Sequence, residues 1–560
     1  DHETACLVEM DEEPPHELNR EAVEIALTVA LMIGARPVDE IHVMRKTVID
    51  GSNTTGFQRT CIIAFGGRVK ADGKEVPIQQ ICLEEDAARK MGQEGSTIRY
   101  RIDRLGIPLI EITTAPVLHS PEEVRKAALA IGRILRATGR VRRGLGTIRQ
   151  DLNISIAGGA LTEVKGVQEL EILPKVVEYE VQRQLNLLKI RDELKRRGVR
   201  KEDIQEKFVD VSEVFRNTKC RVIRKALKRG GVVMAVRLPK FAGLLGMELA
   251  PGMRLGSELA DIARFWGRVG GIFHTDEMPG YGISAEEVER LRNVVGAEAQ
   301  DAVVFVAEMR ENAIDALRAV VGRAREALDG VPEETRAANP DGTTRYMRPR
   351  PGAARMYPET DVPPIQITED YLQALRERLP ELPESRMRRL MEQYGLNEKL
   401  ARQILDSEYA DLFEEIAQTM KVPPTVVAVT LTETLKALRR DGVNVERLVD
   451  QQLRELFHLI EEGKTVKEAI PDILTWLSEH EGASAEDALQ ALGLRMLTRE
   501  ELEGVVDEVL RENEKLIQER GVRAFGPLMG LVMRRVRGRA DASLVREILK
   551  SRLERRFANP

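Results

Sequence analysis

The chain has 560 residues, with 85 lysines and arginines against 91 aspartates and glutamates, a formal net charge of −6, 42% hydrophobic and only 4% aromatic residues. That length exceeds what one hydrophobic core supports, so several domains are expected; the near balance of charge excludes a bulk polycation, and any anionic partner has to be held by a local patch. Cys6, Cys61, Cys82 and Cys220 show no C-x-x-C spacing, which argues against a zinc ribbon or disulfide framework and for a cytoplasmic protein with reduced thiols, and no apolar run reaches membrane-spanning length.

The opening DHETACLVEMDEEPP reads as the interior of a domain and not as a signal peptide, so further residues are expected upstream. Asn19 caps a helix that runs to about Ile33 and is closed by Gly34; it is apolar almost all round and therefore buried. The stretch Met44 to Thr60 joins Arg45 and Lys46 to a Gly/Ser/Asn/Thr loop, which suits either an ordinary surface loop or part of a site. A strand from Val76 to Leu83 ends in Glu84, Glu85 and Asp86. Three acids there serve solvation, the start of a helix, or hard oxygen ligation of magnesium. In RIDRLGIPLIEITTAP a loop leads into a strand with Ile110 and Ile112 on one face and Leu109, Glu111 and Thr113 on the other. Glutamate in mid-strand among aliphatics is disfavoured, which singles out Glu111. Ser120-Pro121-Glu122-Glu123 is a capping box opening a helix to Thr138.

The centre of the chain is Gly144 to Val167. Ile148, Leu152, Ile154 and Ile156 alternate with Arg149, Asp151, Asn153 and Ser155, the period of a half-buried strand. Gly158 and Gly159 supply a turn, and a second strand carries Glu163 and Lys165. A turn of three residues, 158 to 160, sets Ser155 opposite Glu163 and Asn153 opposite Lys165, and gathers all the polar side chains on one face. Such a face is either simply solvated or binds a cation, a phosphate or an amino acid. A long charged helix follows from about Pro174 to Gly198.

Residues 201 to 332 read as a self-contained α+β insertion, with a capping box at Ser284 to Glu287 and a buried strand DAVVFVAE. Asp341 to Ile365 is irregular, rich in proline and in arginine (Arg345, Arg348, Arg350, Arg355), and is either a linker or an extended segment returning to the first domain. From Thr368 the period is helical, and a smaller helical unit starts near Thr498. Gly521 to Phe557 carries ten lysines and arginines against three acids. That excess suits a phosphate-backbone partner or a solvated helix with unpaired arginines. There is no P-loop, no third glycine after Gly144-Leu145-Gly146, no hydrolase triad order, and no H-E-x-x-H among the seven histidines.

Taken in order, LEEDAARK (83–90), DRLGIPLIEITTAP (103–116), IRQDLNISI (148–156), TEVKGV (162–167), YPETDVPP (357–364) and FGPLMGLVMRRVRGRAD (525–541) resemble the GatB/GatE family of tRNA-dependent amidotransferases. The tail resembles the YqeY-like helical domain that ends those proteins, and the insertion resembles the extra domain of bacterial aspartyl-tRNA synthetases, which within the family marks the archaeal GatE branch. The resemblance spans essentially the whole chain. It implies an α+β multidomain protein: a mixed-sheet cradle domain over 1–200, the insertion over 201–332, a return to the cradle over 333–366, a helical domain over 367–485 and a YqeY-like tail over 486–560.

The function that the resemblance implies is a ligase step. ATP phosphorylates the γ-carboxylate of glutamate on tRNA(Gln), and ammonia displaces the phosphate to give Gln-tRNA(Gln). The ammonia comes from glutamine or asparagine through the asparaginase-like amidase GatD, and the chain is expected as a homodimer within a heterotetramer. ATP and Mg2+ are the implied cofactors. Glu84 and Glu111 match family acids that bind magnesium. Arg45 and Lys46 would stabilise the transferring phosphoryl group, and Glu85, Asp151, Asn153, Ser155, Glu163 and Lys165 would complete the catalytic surface. Glu359 and Asp361 would close one edge, and Arg534, Arg535, Arg537 and Arg539 would hold tRNA phosphates. The family's opening G-L-E-I-H motif, which supplies a histidine and a glutamate to the same metal, is not in this sequence; it is expected upstream of Asp1. The alternative is a non-catalytic tRNA-binding scaffold with a degenerate site.

Overall fold

The computed structural model describes residues 16–48, 55–94, 97–142, 144, 146–350 and 355–558. Residues up to Pro380 form one compact unit and those from Glu381 a second, and the whole is an α+β, multidomain architecture. The Gly/Ser/Asn/Thr loop after Thr47 lies mostly outside the described residues, as does Cys6.

The first unit opens with α1 (Arg20–Met32), started by Asn19, whose side-chain oxygen accepts from the Ala22 N–H at 3.0 Å, and followed by Gly34 at φ +69°. It covers one face of an antiparallel sheet built on β1 (Met44–Thr47), β2 (Phe57–Phe65), β3 (Lys74–Glu85) and β4 (Pro108–Thr114). Cys61, Ile63, Ile81 and Leu83 point inward to Ala26, Leu27 and Ala30, while Ile110 and Ile112 of β4 pack at the margin of that core. The opposite face is partly exposed: Ile62 is exposed there, whereas Thr60 and Cys82 are buried. The strand expected from Val76 to Leu83 is longer at both ends. α2 (Pro121–Ala137) begins at Ser120, whose hydroxyl accepts from Glu123 N–H; the Glu123 carboxylate takes His119 N–H and Lys74 rather than closing a reciprocal box.

A second sheet holds β5 (Gln150–Ile154) and β6 (Thr162–Val167), antiparallel to each other, with apolar residues Leu152, Ile154, Val164 and Val167 buried against α3 (Leu173–Arg196). The hairpin register differs from the sequence expectation. Asn153, not Ser155, stands opposite Glu163, and Lys165 reaches Asp151. A slip of two residues keeps every side chain on its own face, so alternation alone does not detect it. The cause is Gln184 on α3. Its amide donates to Ile154 O at 3.3 Å and Thr162 Oγ1 at 3.2 Å while its oxygen accepts from Ala160 N–H at 3.4 Å, so the connection widens around it. A Cβ on Gly159 would lie 2.4 Å from the Gln184 oxygen, and glycine is what this approach requires.

After α3 the chain builds a separate antiparallel sheet from Val209–Asp210, Val232–Leu238, Ala302–Glu308 and Phe273–His274. α4 (Arg221–Lys228) covers one face of it, and α5 (Leu255–Gly267) the other together with a long helix, Arg310–Glu326. Alternate residues of Ala302–Glu308 enter the two cores: Val304 and Val306 join Leu259 and Leu317, and Val303 and Phe305 join Phe215 and Ile223. The chain then returns as β7 (Glu334–Ala338), parallel to β6, and β8 (Thr344–Pro349); Met356–Pro358 pairs with β1. The segment read as either a linker or a returning piece is strand on both sides of 351–354.

Where the insertion leaves and re-enters, charges are buried. Arg183 of α3 donates to Glu180, to Glu258 of α5 at 2.7 Å and to Glu334 of β7 at 3.3 Å; Arg323 donates to Glu258 at 2.9 Å, and Arg336 to Glu334 at 2.9 Å. All six side chains are at most 3% exposed. Three guanidiniums against three carboxylates leave the cluster neutral, the condition under which charges tolerate burial.

The second unit is helical. Pro383–Tyr394 and Glu398–Asp406 turn at Gly395 as the sequence implies. Further helices form one core around Phe413, Leu453 and Ile473, and the helices from Arg499 onward form another around Val506, Leu528 and Leu549. Among the described residues no helix is long and apolar enough to cross a membrane.

Candidate functional site

The pleat of the first sheet sorts the expected residues. Thr60 pairs with Glu84 and Cys82 with Glu111, so Glu84 and Glu111 are diagonal neighbours on one face of β3 and β4. Lys46 shares that face and its ammonium donates to Glu84. Burial first, then the charge of Glu84, pushes the Glu111 carboxyl up to about 7 against the pull of Lys46, and a hydrogen bond links the two acids. Glu111 is exposed by area yet crowded by neighbours; two carboxylates sharing one ammonium account for the direction of the shift. Burial and these same acids push the neighbouring Cys82 thiol up to about 12, so it is no nucleophile.

Arg45 and Glu85 fall on the opposite face. Consecutive strand residues point opposite ways, so Lys46 and Glu84 leave Arg45 and Glu85 behind. Arg45 donates to the buried Glu359 carboxylate and lies over the Phe57 ring at 4.2 Å; the hydrogen bond to Glu359 raises its pKa. Arg59 stands 3.6 Å from Glu85 and donates to His16 O at 2.7 Å. Asp361 N–H donates to Glu359 at 3.4 Å, so these edge residues brace the sheet from behind.

The hairpin residues gather on the exposed face of the second sheet. Lys165 Nζ lies 3.2 Å from both Asp151 and Glu163. Burial lowers its pKa, but those two carboxylates outweigh it and the net shift is upward. Asn153 stands opposite Glu163, and Ser155 is exposed beyond the strand end. The negative charge of Asp151 contributes least among the causes that raise Glu111, so the hairpin carboxylate acts on the first sheet's pair through electrostatics. Two further contacts were not read from sequence. The buried Thr335 hydroxyl donates to Glu163 at 2.9 Å, and Asp86 accepts from Arg104 at 2.9 Å with Arg149 at 3.5 Å, tying one sheet to the entry of the other. The third acid of Glu84-Glu85-Asp86 was the available signal for the latter.

Among the described residues no group of three or more His, Cys, Asp or Glu is arranged to hold a metal. Glu84 and Glu111 offer two carboxylates whose repulsion Lys46 only partly relieves. That fits a hard cation such as Mg2+, which takes one or two carboxylates and fills its octahedron with water and phosphate oxygens.

The tail arginines divide. Arg535 stands 2.8 Å from Glu512 and 3.5 Å from Glu508, Arg537 lies 3.2 Å from Asp472, and Arg539 donates to a backbone carbonyl. Arg534 is exposed and pairs with no acid among the described residues. Arg552 and Arg556 are also matched by acids, Glu503 and Glu514. Much of the positive charge read along 521–557 is therefore neutralised within the fold.

Residues 4–373 match the model of the GatB/GatE catalytic domain, and residues 411–553 that of the GatB domain. Curated relatives include the E subunit of glutamyl-tRNA(Gln) amidotransferase from Aeropyrum pernix, 52% identical over 98% of this chain and 86% of the relative. The proteins of the same name from Methanocaldococcus jannaschii and Archaeoglobus fulgidus are 50% and 52% identical, each over 99% of this chain and covering 88% and 87% of their own lengths. With one model matching most of its length and relatives about half identical over nearly all of this chain, the chain belongs to the GatB/GatE family.

Proposed function

We propose that this chain is the tRNA-dependent subunit of a glutamyl-tRNA(Gln) amidotransferase that activates the γ-carboxylate of tRNA-bound glutamate with ATP and exchanges the phosphate for ammonia. The observation that carries the reading is the meeting of Lys46, Glu84 and Glu111 with Asp151 and Lys165. Two lysines and three carboxylates gather there on two sheets tied by Arg149 and Asp86, in a chain about half identical to proteins named for this activity.

The chemistry is phosphoryl transfer followed by acyl transfer. A γ-carboxylate oxygen attacks the terminal phosphorus of ATP and ADP leaves; ammonia then attacks the acyl carbon, inorganic phosphate departs, and a proton is lost from nitrogen. Such a transfer is catalysed mainly by positioning and by neutralising charge on the phosphates. Glu84 and Glu111 would hold Mg2+, which supplies that neutralisation when bound. Lys46, released from Glu84, is placed to meet a phosphate oxygen. Lys165, held by Asp151 and Glu163, presents a fixed positive charge, and the acids around it orient the substrate's ammonium or accept the proton from nitrogen. Arg45, Glu85 and Glu359 act through the sheet and not on the substrate. The ammonia donor is a separate amidase subunit of the asparaginase-like GatD class, in a hetero-oligomer containing two copies of this chain.

The test is ADP release by the complex with and without Glu-tRNA(Gln), for wild type and Glu111→Gln. Release that requires the mischarged tRNA and falls about 100-fold or more in the variant, with tRNA affinity kept, supports the reading. Tight tRNA binding without ADP release in the complete complex supports a scaffold instead.

A further inference from the structure

An uncompensated positive surface lies on the insertion as well as in the tail. Between Glu213 and Glu248 the sequence carries no acid. Six cations of that stretch, Lys219, Arg221, Arg224, Lys225, Lys228 and Arg229, lie on or beside α4, and all six are exposed. Among the described residues none of them pairs with a carboxylate, and the one hydrogen bond among their side chains runs from Arg229 Nε to Lys225 O at 3.3 Å. In the second unit the cations are mixed: Arg535, Arg537, Arg552 and Arg556 each face an acid, while Arg523, Arg534, Arg546 and Arg555 pair with none among the described residues.

The helix is two-faced by construction. Ile223 and Ala226 are buried, Ile223 in the core with Phe215 and Phe305, and they fix its rotation. The remaining positions then present Arg221, Arg224, Lys225 and Lys228 together, three and four residues apart. Like charges at those spacings repel, and Arg221 in the first turn also opposes the helix dipole. Among the described residues no internal partner offsets this, so the fold maintains a repulsive array directed at solvent. The array extends about 12 Å along the axis, enough to meet two or three successive phosphates of a nucleic-acid strand. An acidic protein surface would be met equally by charge, but a line of flexible cations, with Val222 and Tyr281 as the exposed apolar side chains near it, suits a uniformly charged backbone better.

We propose that the exposed face of α4 binds the sugar-phosphate backbone of RNA and, resting on the function proposed above, that of the tRNA substrate. The contact positions the RNA without reading its bases.

The experiment uses the full chain carrying R221Q/R224Q/K225Q/K228Q, and a fluorescently labelled tRNA(Gln) transcript titrated at several salt concentrations. The expected result is a Kd raised about tenfold or more at low salt and a log–log salt dependence shallower by about 2 to 3. R221K/R224K, which keeps the charge, retains wild-type affinity. An unchanged Kd and salt slope in the fourfold variant overturns the proposal. So does an equal loss in R221K/R224K, which would mark a structural role, or α4-dependent binding to phosphatidylserine vesicles with none to tRNA. The two readings fail separately: α4-dependent tRNA binding in a complex that releases no ADP upholds the RNA surface and sinks the ligase reading.

Discussion

The buried ion cluster at the root of the insertion gives the sharpest stability prediction. Glu258 accepts from Arg183 at 2.7 Å and from Arg323 at 2.9 Å, with Arg336 at 3.4 Å. Arg323 Nε and Nη1 make no hydrogen bond, so Glu258 is its bonded partner. Glu258→Gln keeps the shape but leaves three buried guanidiniums against two carboxylates. Removing one member of a buried pair costs about 3–5 kcal/mol, because the remaining charge is stranded away from water. Trp266 lies on the same helix, and the chain's other tryptophan, Trp476, is in the second unit. In a Trp476→Phe background, fluorescence therefore reports unfolding around the insertion alone. With a slope of about 2–3 kcal/mol per M urea, the midpoint of that transition falls by about 1 to 2.5 M. The pH dependence follows with a definite sign. Burial alone would raise the Glu258 carboxyl, but Arg183, Arg336 and Arg323 outweigh it and hold it well below the usual carboxylate range. A depressed acid contributes fully above its unfolded pKa and is lost only as pH falls through the folded one, so the difference between wild type and variant stays flat across neutral pH and closes only in strong acid. A midpoint shift below about 0.3 M would refute the reasoning.

Three further outcomes are expected. For Glu111, raised from 4.5 to about 7, the sign is opposite: the folded state holds a proton that the unfolded state has lost, so stability declines as pH rises through that window. Glu111→Gln abolishes the decline and raises Tm at pH 8 relative to wild type, read by thermal melts in metal-free buffer. Thr335→Val removes the hydroxyl donated to Glu163 without changing volume; it costs about 1 kcal/mol and lowers kcat of the amidotransferase reaction more than it raises KM for tRNA. In the tail, Arg534→Gln makes the salt dependence of tRNA binding shallower by about 1, whereas Arg535→Gln, whose charge Glu508 and Glu512 already answer, changes it less; equal effects would mean the acids do not hold Arg535 in solution.

Much of this arrangement is legible in residue types. A period of two located β4 and β5, and a carboxylate stranded among aliphatics singled out Glu111 before any contact was known. The same period rules out Arg45 and Lys46 sharing a face; grouping them by motif set that constraint aside, and the structure restores it. The hairpin register was beyond reach because a shift of two preserves parity, and the deciding residue, Gln184, lies on a helix some 20 positions later in the chain. Charge counted along 521–557 missed the acids of Arg499–Glu512 that face it, since salt bridges such as Arg552 to Glu503 join residues 49 apart. For the same reason the sequence marks α3 only as a long charged helix and does not single out Glu180 and Arg183, which are buried.

The route of the chain explains why an insertion sits at this place. β6 and β7 are parallel neighbours, and parallel strands need a crossover instead of a tight turn. α3 begins that crossover, and the insertion occupies its return leg. The first two residues of β7 are both engaged: Glu334 enters the ion cluster and Thr335 holds Glu163. A shift of the insertion therefore moves the hydroxyl that positions Glu163, and with it Lys165. If the cluster transmits position in this way, Glu258→Gln and Thr335→Val are not additive. Once Glu258 is lost, the Thr335 hydroxyl is already out of register, and its removal costs less in kcat than it does in the wild-type background. Sites this close are expected to couple by about 0.5–3 kcal/mol when they share a backbone shift and by no more than about 0.5 kcal/mol when they do not, so a double-mutant cycle in kcat decides whether the insertion is wired to the site or merely attached beside it.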